Sequence, residues 1–287
     1  MNTKIGFIGQ GWIGRNYADD FESRGYGVVR YALEEPFVQN KSTIAECEIT
    51  LIAVPTPTTP EGFNDSYVVD ALSNIANGHI AVIKSTMLPG ATQKLQAQFP
   101  NIIVLHSPEF LVEKTAAYDA ANPKRNIIGI SEDAPAHKEA AQKVLVVLPE
   151  APYQVVVSSL EAELIKYAGN CFLYSKVLFM NVLSDVVQKS GADFAVVTDA
   201  MIHDPRIGSS HMQPLHDSGR GAGGHCFIKD FEALRQYYKE QIGNDEAFAM
   251  LSAQVAYNNH LLCSTGKDLD LLAGVYGQEI VDREITR

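Results

Sequence analysis

The residues best able to do chemistry gather around one thiol. Cys226 sits in Gly223-Gly224-His225-Cys226-Phe227-Ile228-Lys229-Asp230, where a glycine-rich loop gives way to a helical pattern. Small neighbours let a substrate carbon reach the sulfur, and a position near a helix N-terminus stabilises a thiolate. Asp230 follows one turn later and, in a helix, faces the same way. A lone cysteine is more often a packing residue; the glycines set this one apart. Lys166 and Asn170, in Lys166-Tyr167-Ala168-Gly169-Asn170, stand four apart and share a helix face. There a lysine can stabilise an alkoxide or relay its proton, and an asparagine can donate to an oxyanion. In isolation this pair reads as solvated helix surface, but apolar Leu164, Ile165 and Tyr167 weigh against that. Glu109, in His106-Ser107-Pro108-Glu109-Phe110-Leu111, follows a strand candidate directly, where open α/β sheets place their ligands. It can activate water or be an ordinary loop acid.

Such groups need something to oxidise, acylate or hydrolyse, and the N-terminus supplies a cofactor signal. The first strand candidate runs into Gly9-Gln10-Gly11-Trp12-Ile13-Gly14, the GxGxxG pattern. Glycines there permit a tight turn and let backbone amides approach a pyrophosphate at the positive end of the next helix. Placed between a strand and an amphipathic helix, the hexapeptide is far more specific than it is alone. The acid expected on the adenosine ribose at the end of strand two falls at Ala32, with Glu34 and Glu35 just beyond. Arg30 or Lys41 would instead suit a 2′-phosphate. NAD is the expected cofactor and NADP stays open. Two further strand-end loops, Val54-Pro55-Thr56-Pro57 and Lys84-Ser85-Thr86-Met87-Leu88-Pro89-Gly90, are placed to line the nicotinamide.

The elements that must position these groups follow from periodicity. Strand candidates are Lys4–Ile8, Val28–Tyr31, Ile49–Val54, Ile80–Lys84, Ile102–Leu105, Asn126–Ile130 and Gln154–Val157. Helical patterns lie between several of them, around Tyr67–Ala76, Thr92–Gln98 and Ala134–Val147. This alternation predicts an α/β fold, a Rossmann-like doubly wound parallel sheet with helices on both faces. From Ser158 the pattern changes. A proline-free helical stretch, Leu160 to about Lys189, predicts a connecting helix into a smaller all-α domain, interrupted by the Gly/His/Ser-rich segment His203–His225. The expected domains are residues 1–157, a connector 158–190, and a catalytic and dimerisation domain 191–287. Leu173, Val177, Met180, Leu183 and Val187 recur at helical spacing, which suits either a core stripe or a dimer seam.

The chain has 287 residues and a formal charge of -11, which argues against a general nucleic-acid or anionic-membrane surface. No apolar run is long enough to cross a bilayer and the first residues do not read as a signal peptide, so a cytoplasmic protein is expected. Cys47, Cys171, Cys226 and Cys263 are scattered, with no CxxC pair and no His/Cys cluster at metal spacing, so no metal is expected.

Taken together, GQGWIG, VPTPTTPEGFND, STMLPGAT, SPEFL with NPKRNIIG, ELIKYAGN, DPRIG and GGHCFIKD resemble, in order, the motifs of the UDP-glucose/GDP-mannose dehydrogenase family. The resemblance implies an NAD-dependent, four-electron oxidation of a nucleotide-sugar alcohol to a carboxylate, in a homodimer. It implies that Cys226 is the nucleophile, carrying a thiohemiacetal and then a thioester, and that Lys166 and Asn170 stabilise the oxyanion. Asp230 and Thr86 would organise the proton relay and water, and Glu109 would serve the hydrolysis. Cofactor contacts are implied at Gly9, Gly11, Trp12, Ile13, Gly14, Val54, Pro55, Thr56, Ser85 and Thr86. Substrate contacts are implied at Phe110, Leu111, Gly223 and Gly224, with Arg206 reaching a phosphate, across a dimer interface in one arrangement. Departures accompany this. Family members usually carry a third, C-terminal domain, so a compact form is expected. The segment between strands two and three is short, Ile228 replaces a proline, and Val112 and Lys114 replace an arginine and a glycine. Two other readings stay open: a two-electron β-hydroxyacid-type dehydrogenase, which needs no Cys226, and a non-catalytic binding relative.

Overall fold

Short apolar runs bounded by glycine and turn residues form strands where the amphipathic segments between them can pack back as helices. The computed structural model describes residues 4–286. In chain order the elements are β1 (Lys4–Ile8), α1 (Trp12–Ser23), β2 (Gly27–Tyr31), α2 (Lys41–Ile44), β3 (Ile49–Ile52), β4 (Thr58–Thr59), β5 (Gly62–Phe63), α3 (Ser66–Leu72), β6 (Ile80–Ile83), α4 (Ala91–Gln98) and β7 (Ile103–His106). They continue as α5 (Ala116–Ala121), β8 (Arg125–Ile130), α6 (Pro135–Val147), β9 (Tyr153–Ser158), α7 (Ser159–Ser190), α8 (Phe194–Ile202), β10 (Leu215–His216), β11 (Gly219–Arg220), α9 (Gly224–Gln241), α10 (Asp245–Thr265), α11 (Leu269–Tyr276) and α12 (Gln278–Ile285).

The chain forms two compact units. One runs to Thr56 and resumes from Asn64 to Lys166; the other takes Pro57–Phe63 and everything from Tyr167 onward. The first holds a seven-stranded sheet in the order β2-β1-β3-β6-β7-β8-β9. Every residue of β3 (ITLI) and β6 (IAVI) is buried, as central strands covered on both faces require. The strand order reverses between β1 and β3, and ligands of such sheets bind beyond the carboxyl ends at that point. Phe7, Phe21, Leu51, Val82, Ile128 and Val144 belong to its core. The sheet departs from all-parallel at one pair: β8 runs antiparallel to β7, with Leu105 opposite Ile130. A crossover helix is what returns a chain to the same end of a sheet. Here the link after β7 holds only a short 3-10 turn and α5, so β8 starts where β7 ended and runs back.

In the second unit α10 and α8 start on side-chain caps: Asn244 accepts from the Ala247 N–H, and Asp193 from that of Ala195. Two small hairpins, β4–β5 and β10–β11, accompany the helices. The β10–β11 hairpin occupies the segment expected to be non-helical. On α7, Val177, Met180 and Val187 are buried, so the stripe visible in the sequence is a core stripe. The exposed apolar face is different: Phe172, Phe179 and Val186 are 70%, 58% and 57% exposed, at seven-residue spacing. Among the described residues no helix is long and apolar enough to cross a membrane.

Candidate active site

In the first unit the three glycines of the N-terminal motif do three separate jobs. Gly9 turns at φ +90°, and a Cβ there would lie 2.4 Å from the Ala53 carbonyl oxygen, so the turn after β1 packs directly on the end of β3. At Gly14, in α1, a Cβ would meet the Gly9 carbonyl oxygen at 1.9 Å; only glycine allows this helix to approach the strand end. Gly11 is different, being exposed with nothing within 4 Å of where a Cβ would stand. The N-terminus of α1 is thus open to an approaching group, as a dinucleotide pyrophosphate needs. Trp12 and Ile13, the first residues of the helix, are half-buried.

The predicted nicotinamide loops are cross-tied beside this turn. Ser85 Oγ donates to the Val54 carbonyl at 2.7 Å, and Thr56 Oγ1 to the Thr86 carbonyl at 2.9 Å. Ser85 and Thr56 are buried, Val54 and Thr86 half-buried, and Pro55 exposed. The ends of β1, β3 and β6 therefore form one braced floor. Arg30, a candidate for a 2′-phosphate, is already engaged: its guanidinium bridges Asp19 at 2.6 Å and Glu22 at 2.8 Å.

Past the ends of β6 and β7 lies a buried cluster of ionisable groups. Two backbone N–H groups, of Phe110 and Leu111, donate to Glu109 Oε1 at 2.5 Å. Lys84 Nζ lies 3.5 Å from Glu109 Oε2, and the two side chains are 4% and 5% exposed. Lys166 donates to the Glu109 carbonyl at 2.5 Å. Removing either partner of such a buried pair leaves an uncompensated charge, so the pair is held as a unit. Burial pulls Lys84 below its ordinary value, with Glu109 opposing. Burial and then the Glu109 charge push the Tyr17 hydroxyl well up. His106 is driven down to about 3 by burial and by the Lys84 charge, so it is neutral. Phe110 is stacked under the Arg125 guanidinium, 3.7 Å from ring centre to Cζ, and Leu111 packs on the core of the sheet.

The second unit holds the thiol. Cys226 is half-buried in the first turn of α9, whose N-terminus begins at Gly224. Beneath that turn Asp230 is 1% exposed. Asn170 Nδ2 donates to Asp230 Oδ2 at 2.6 Å, and Lys229 Nζ donates to Oδ1 at 2.5 Å. This uses one of the two amide hydrogens of Asn170. Burial works against the Lys229 charge, yet the Asp230 carboxylate and the Cys226 sulfur together hold its ammonium above its ordinary value. His225 and Lys229, with Gly224, Thr58 and Asp270, line a cavity of about 190 Å³. A larger cleft of about 590 Å³ in the first unit, lined by Gln93, Ser131, Lys138 and Val156 among others, contains none of the expected site residues.

The structure thus joins Glu109 with Lys166 and Phe110 in one cluster, and Asn170 with Asp230 in another. Arg206 stands in neither. Its side chain is 86% exposed and bound to Asp204 two residues away, at 2.5 Å. Among the described residues no cluster of His, Cys, Asp and Glu could hold a metal. Sequence reasoning assigned no role to Lys84 or Lys229. Lys84 did leave a signal, since a lysine closing the apolar run IAVI must be paired or aimed at a ligand. Lys229 left none, because a lysine one turn into a helix usually faces water.

Fold and sites together define the class: a Rossmann-type dinucleotide-binding unit, followed by a helical unit with a thiol at a helix start. Residues 34–146 match the UDP-glucose/GDP-mannose dehydrogenase family, NAD binding domain, and residues 160–260 match its central domain. The chain belongs to the UDP-glucose/GDP-mannose dehydrogenase family. It is 34% identical over 251 residues to the UDP-glucose 6-dehydrogenase YwqF of Bacillus subtilis, covering 83% of this chain and 54% of that one. The chain spans about half the length of the curated relatives it matches. A UDP-glucose dehydrogenase from Pyrobaculum islandicum superposes with TM-score 0.78 and 27% identity, over 95% of this chain and 71% of the other. A 3-hydroxyisobutyrate dehydrogenase from Mycobacterium tuberculosis shares the fold over 99% of both chains, with TM-score 0.71 and 14% identity.

Proposed function

We propose that the protein oxidises the primary alcohol of a nucleotide sugar, of the UDP-glucose type, to a carboxylate through covalent capture at Cys226. The observation that carries this is the run Asn170–Asp230–Lys229 under the first turn of α9, with Lys229 electrostatically coupled to the thiol. A structural cysteine needs no such support. The turn at Gly9, Gly11 and Gly14 would hold NAD, which would supply the two-electron acceptor, one molecule for each oxidation.

The remaining steps belong to the chain's own groups. The Cys226 thiolate, favoured by the helix N-terminus and Lys229, forms a carbon–sulfur bond to the aldehyde carbon made in the first oxidation. Asn170, fixed by Asp230, and Lys166 stabilise the oxygen of that adduct. The second oxidation turns the thiohemiacetal into a thioester. Water then breaks the carbon–sulfur bond, the acid is released and the thiol returns. Glu109 and Thr86 are assigned to this hydrolysis, Glu109 as the carboxyl group paired with Lys84. Capture on sulfur keeps the aldehyde bound between the two oxidations. Phe110, Leu111, Gly223, Gly224 and Arg206 are assigned to the substrate, and the exposed Phe172–Phe179–Val186 face of α7 to a homodimer contact.

The second reading is the two-electron dehydrogenase that needs no thiol. It is favoured by the fold shared over full length with 3-hydroxyisobutyrate dehydrogenase. Incubation with UDP-glucose and NAD, with NADH counted per substrate consumed, decides between them. Two NADH, with acid formation abolished in Cys226→Ser, support the covalent route. One NADH, or full turnover in that variant, overturns it.

A further inference from the structure

The glycine loop that delivers Cys226 to α9 is held almost entirely through its backbone, and by side chains far along the chain. Asn258, buried in α10, pairs with both groups of the Ala222 peptide: its Oδ1 accepts from the N–H at 2.7 Å and its Nδ2 donates to the carbonyl at 3.0 Å. Lys267, buried in the turn after α10, donates to the Gly221 carbonyl at 3.1 Å. Asp268 Oδ2 accepts from the Gly224 N–H at 2.7 Å, at the first residue of α9. These contacts leave no room for a side chain at Gly223. A Cβ on Gly223 would lie 2.0 Å from Asp268 Oδ2 and 2.8 Å from Lys267 Cε, although the φ of Gly223, -102°, suits any residue. The glycine is required by what grips it.

Asp268 itself is held in the left-handed region at φ +53°, rare for a residue with a side chain. That conformation starts α11 and also turns the carboxylate onto α9. An uncapped α9 would present four unpartnered N–H groups around the thiol. Asp268 takes the first of them and places a negative charge two residues from Cys226.

We propose that Asp268, with Asn258 and Lys267 behind it, is a positioning residue for the Cys226 thiol, clamping the glycine loop and fixing the helix turn that carries the sulfur. This rests on the covalent reading of Cys226. It adds a trim: the Asp268 charge opposes the helix-end field and makes the thiolate less favourable than the bare helix start would.

The test is the pH profile of Cys226 alkylation by iodoacetamide, followed by mass spectrometry, in the whole protein. It needs no turnover, so it reads the clamp separately from the Cys226→Ser assay. Asp268→Asn keeps an acceptor for the Gly224 N–H and tolerates the left-handed backbone, but removes the charge. Its alkylation midpoint is expected about half a pH unit lower, the size of a helix-end charge effect. Asp268→Ala, which loses the cap as well, is expected to lower kcat on the order of tenfold or more with KM for NAD unchanged. An alkylation midpoint in Asp268→Asn equal to that of the parent overturns the trim, and a folded Asp268→Ala protein with the parent's kcat overturns the clamp.

Discussion

Two glycines three residues apart should fail in opposite ways when changed to alanine. Gly14→Ala places a methyl 1.9 Å from the Gly9 carbonyl oxygen, a backbone atom that cannot rotate aside. Relieving that contact means moving α1 off the end of β1 by more than about 1 Å, an overpacking cost of about 1–3 kcal/mol, with this contact at the upper end. Alanine returns about 1 kcal/mol of helix propensity. The net loss of about 2 kcal/mol corresponds to a fall in Tm of roughly 4–8 °C for a chain of this size. Gly11→Ala meets nothing within 4 Å, and the φ of Gly11, -65°, is open to any residue. Exchanging glycine for alanine at a helix N-cap costs about 1 kcal/mol, offset by about 0.4–1 kcal/mol from the reduced freedom of the unfolded chain, so Tm in the absence of NAD should hold within about 2 °C. The added methyl instead occupies the approach to the α1 amides, and the Kd for NAD should rise at least about tenfold, or about 1.4 kcal/mol. Thermal melts with and without NAD, paired with calorimetric titration, separate the two variants. Parental NAD affinity in Gly11→Ala would refute the assignment of this turn to the pyrophosphate. A parental Tm in Gly14→Ala would refute the packing argument.

His106 is neutral and buried, held near 3, while an unfolded histidine titrates near 6.5. Below 6.5 the unfolded chain takes up a proton that the folded chain refuses, so stability should fall by about 1.4 kcal/mol per unit as pH drops towards 3. Between pH 6.5 and 5, before most carboxylates titrate, His106→Asn should flatten the fall in Tm; equal slopes in the two proteins would contradict this. Phe179→Glu on the exposed face of α7 should convert a dimer to a monomer by light scattering, and a monomeric parent would remove the dimer assignment.

Much of the architecture was legible because hydrophobic period and glycine spacing are local properties. The runs KIGFI, ITLI and IAVI announced strands, and Gly9, Gly11 and Gly14 announced the turn after the first of them. Strand direction is not local, and the reversal of β8 depends on a link whose path no periodicity records. The helix α7 was plain from its length without proline. Which of its two apolar stripes lies inside was not, since Val177 and Phe179 differ little in apolar character and only the packing decides. At the site, residue types pointed to Cys226, Lys166, Asn170 and Glu109, because thiols, amines and acids carry their chemistry in their names. Their supports were hidden. Lys84 matters through a carboxylate twenty-five positions away in sequence, and Asp268 through a backbone conformation that an aspartate does not advertise.

The hairpin β4–β5 has a consequence for how the protein is made. Its residues, Pro57–Phe63, interrupt the first unit in sequence but belong to the second, where β4 packs against α9 and α11. A nascent chain folds its N-terminal unit first, as it leaves the ribosome. This loop therefore emerges early and stays without its partners until nearly the whole polypeptide has been synthesised. The second unit cannot be finished from C-terminal sequence alone, and a cut between Lys166 and Tyr167 would leave the N-terminal fragment holding a piece of the second unit. The hairpin acts as a stitch: completion of the thiol-bearing unit is tied to a segment encoded within the sequence of the cofactor-binding one.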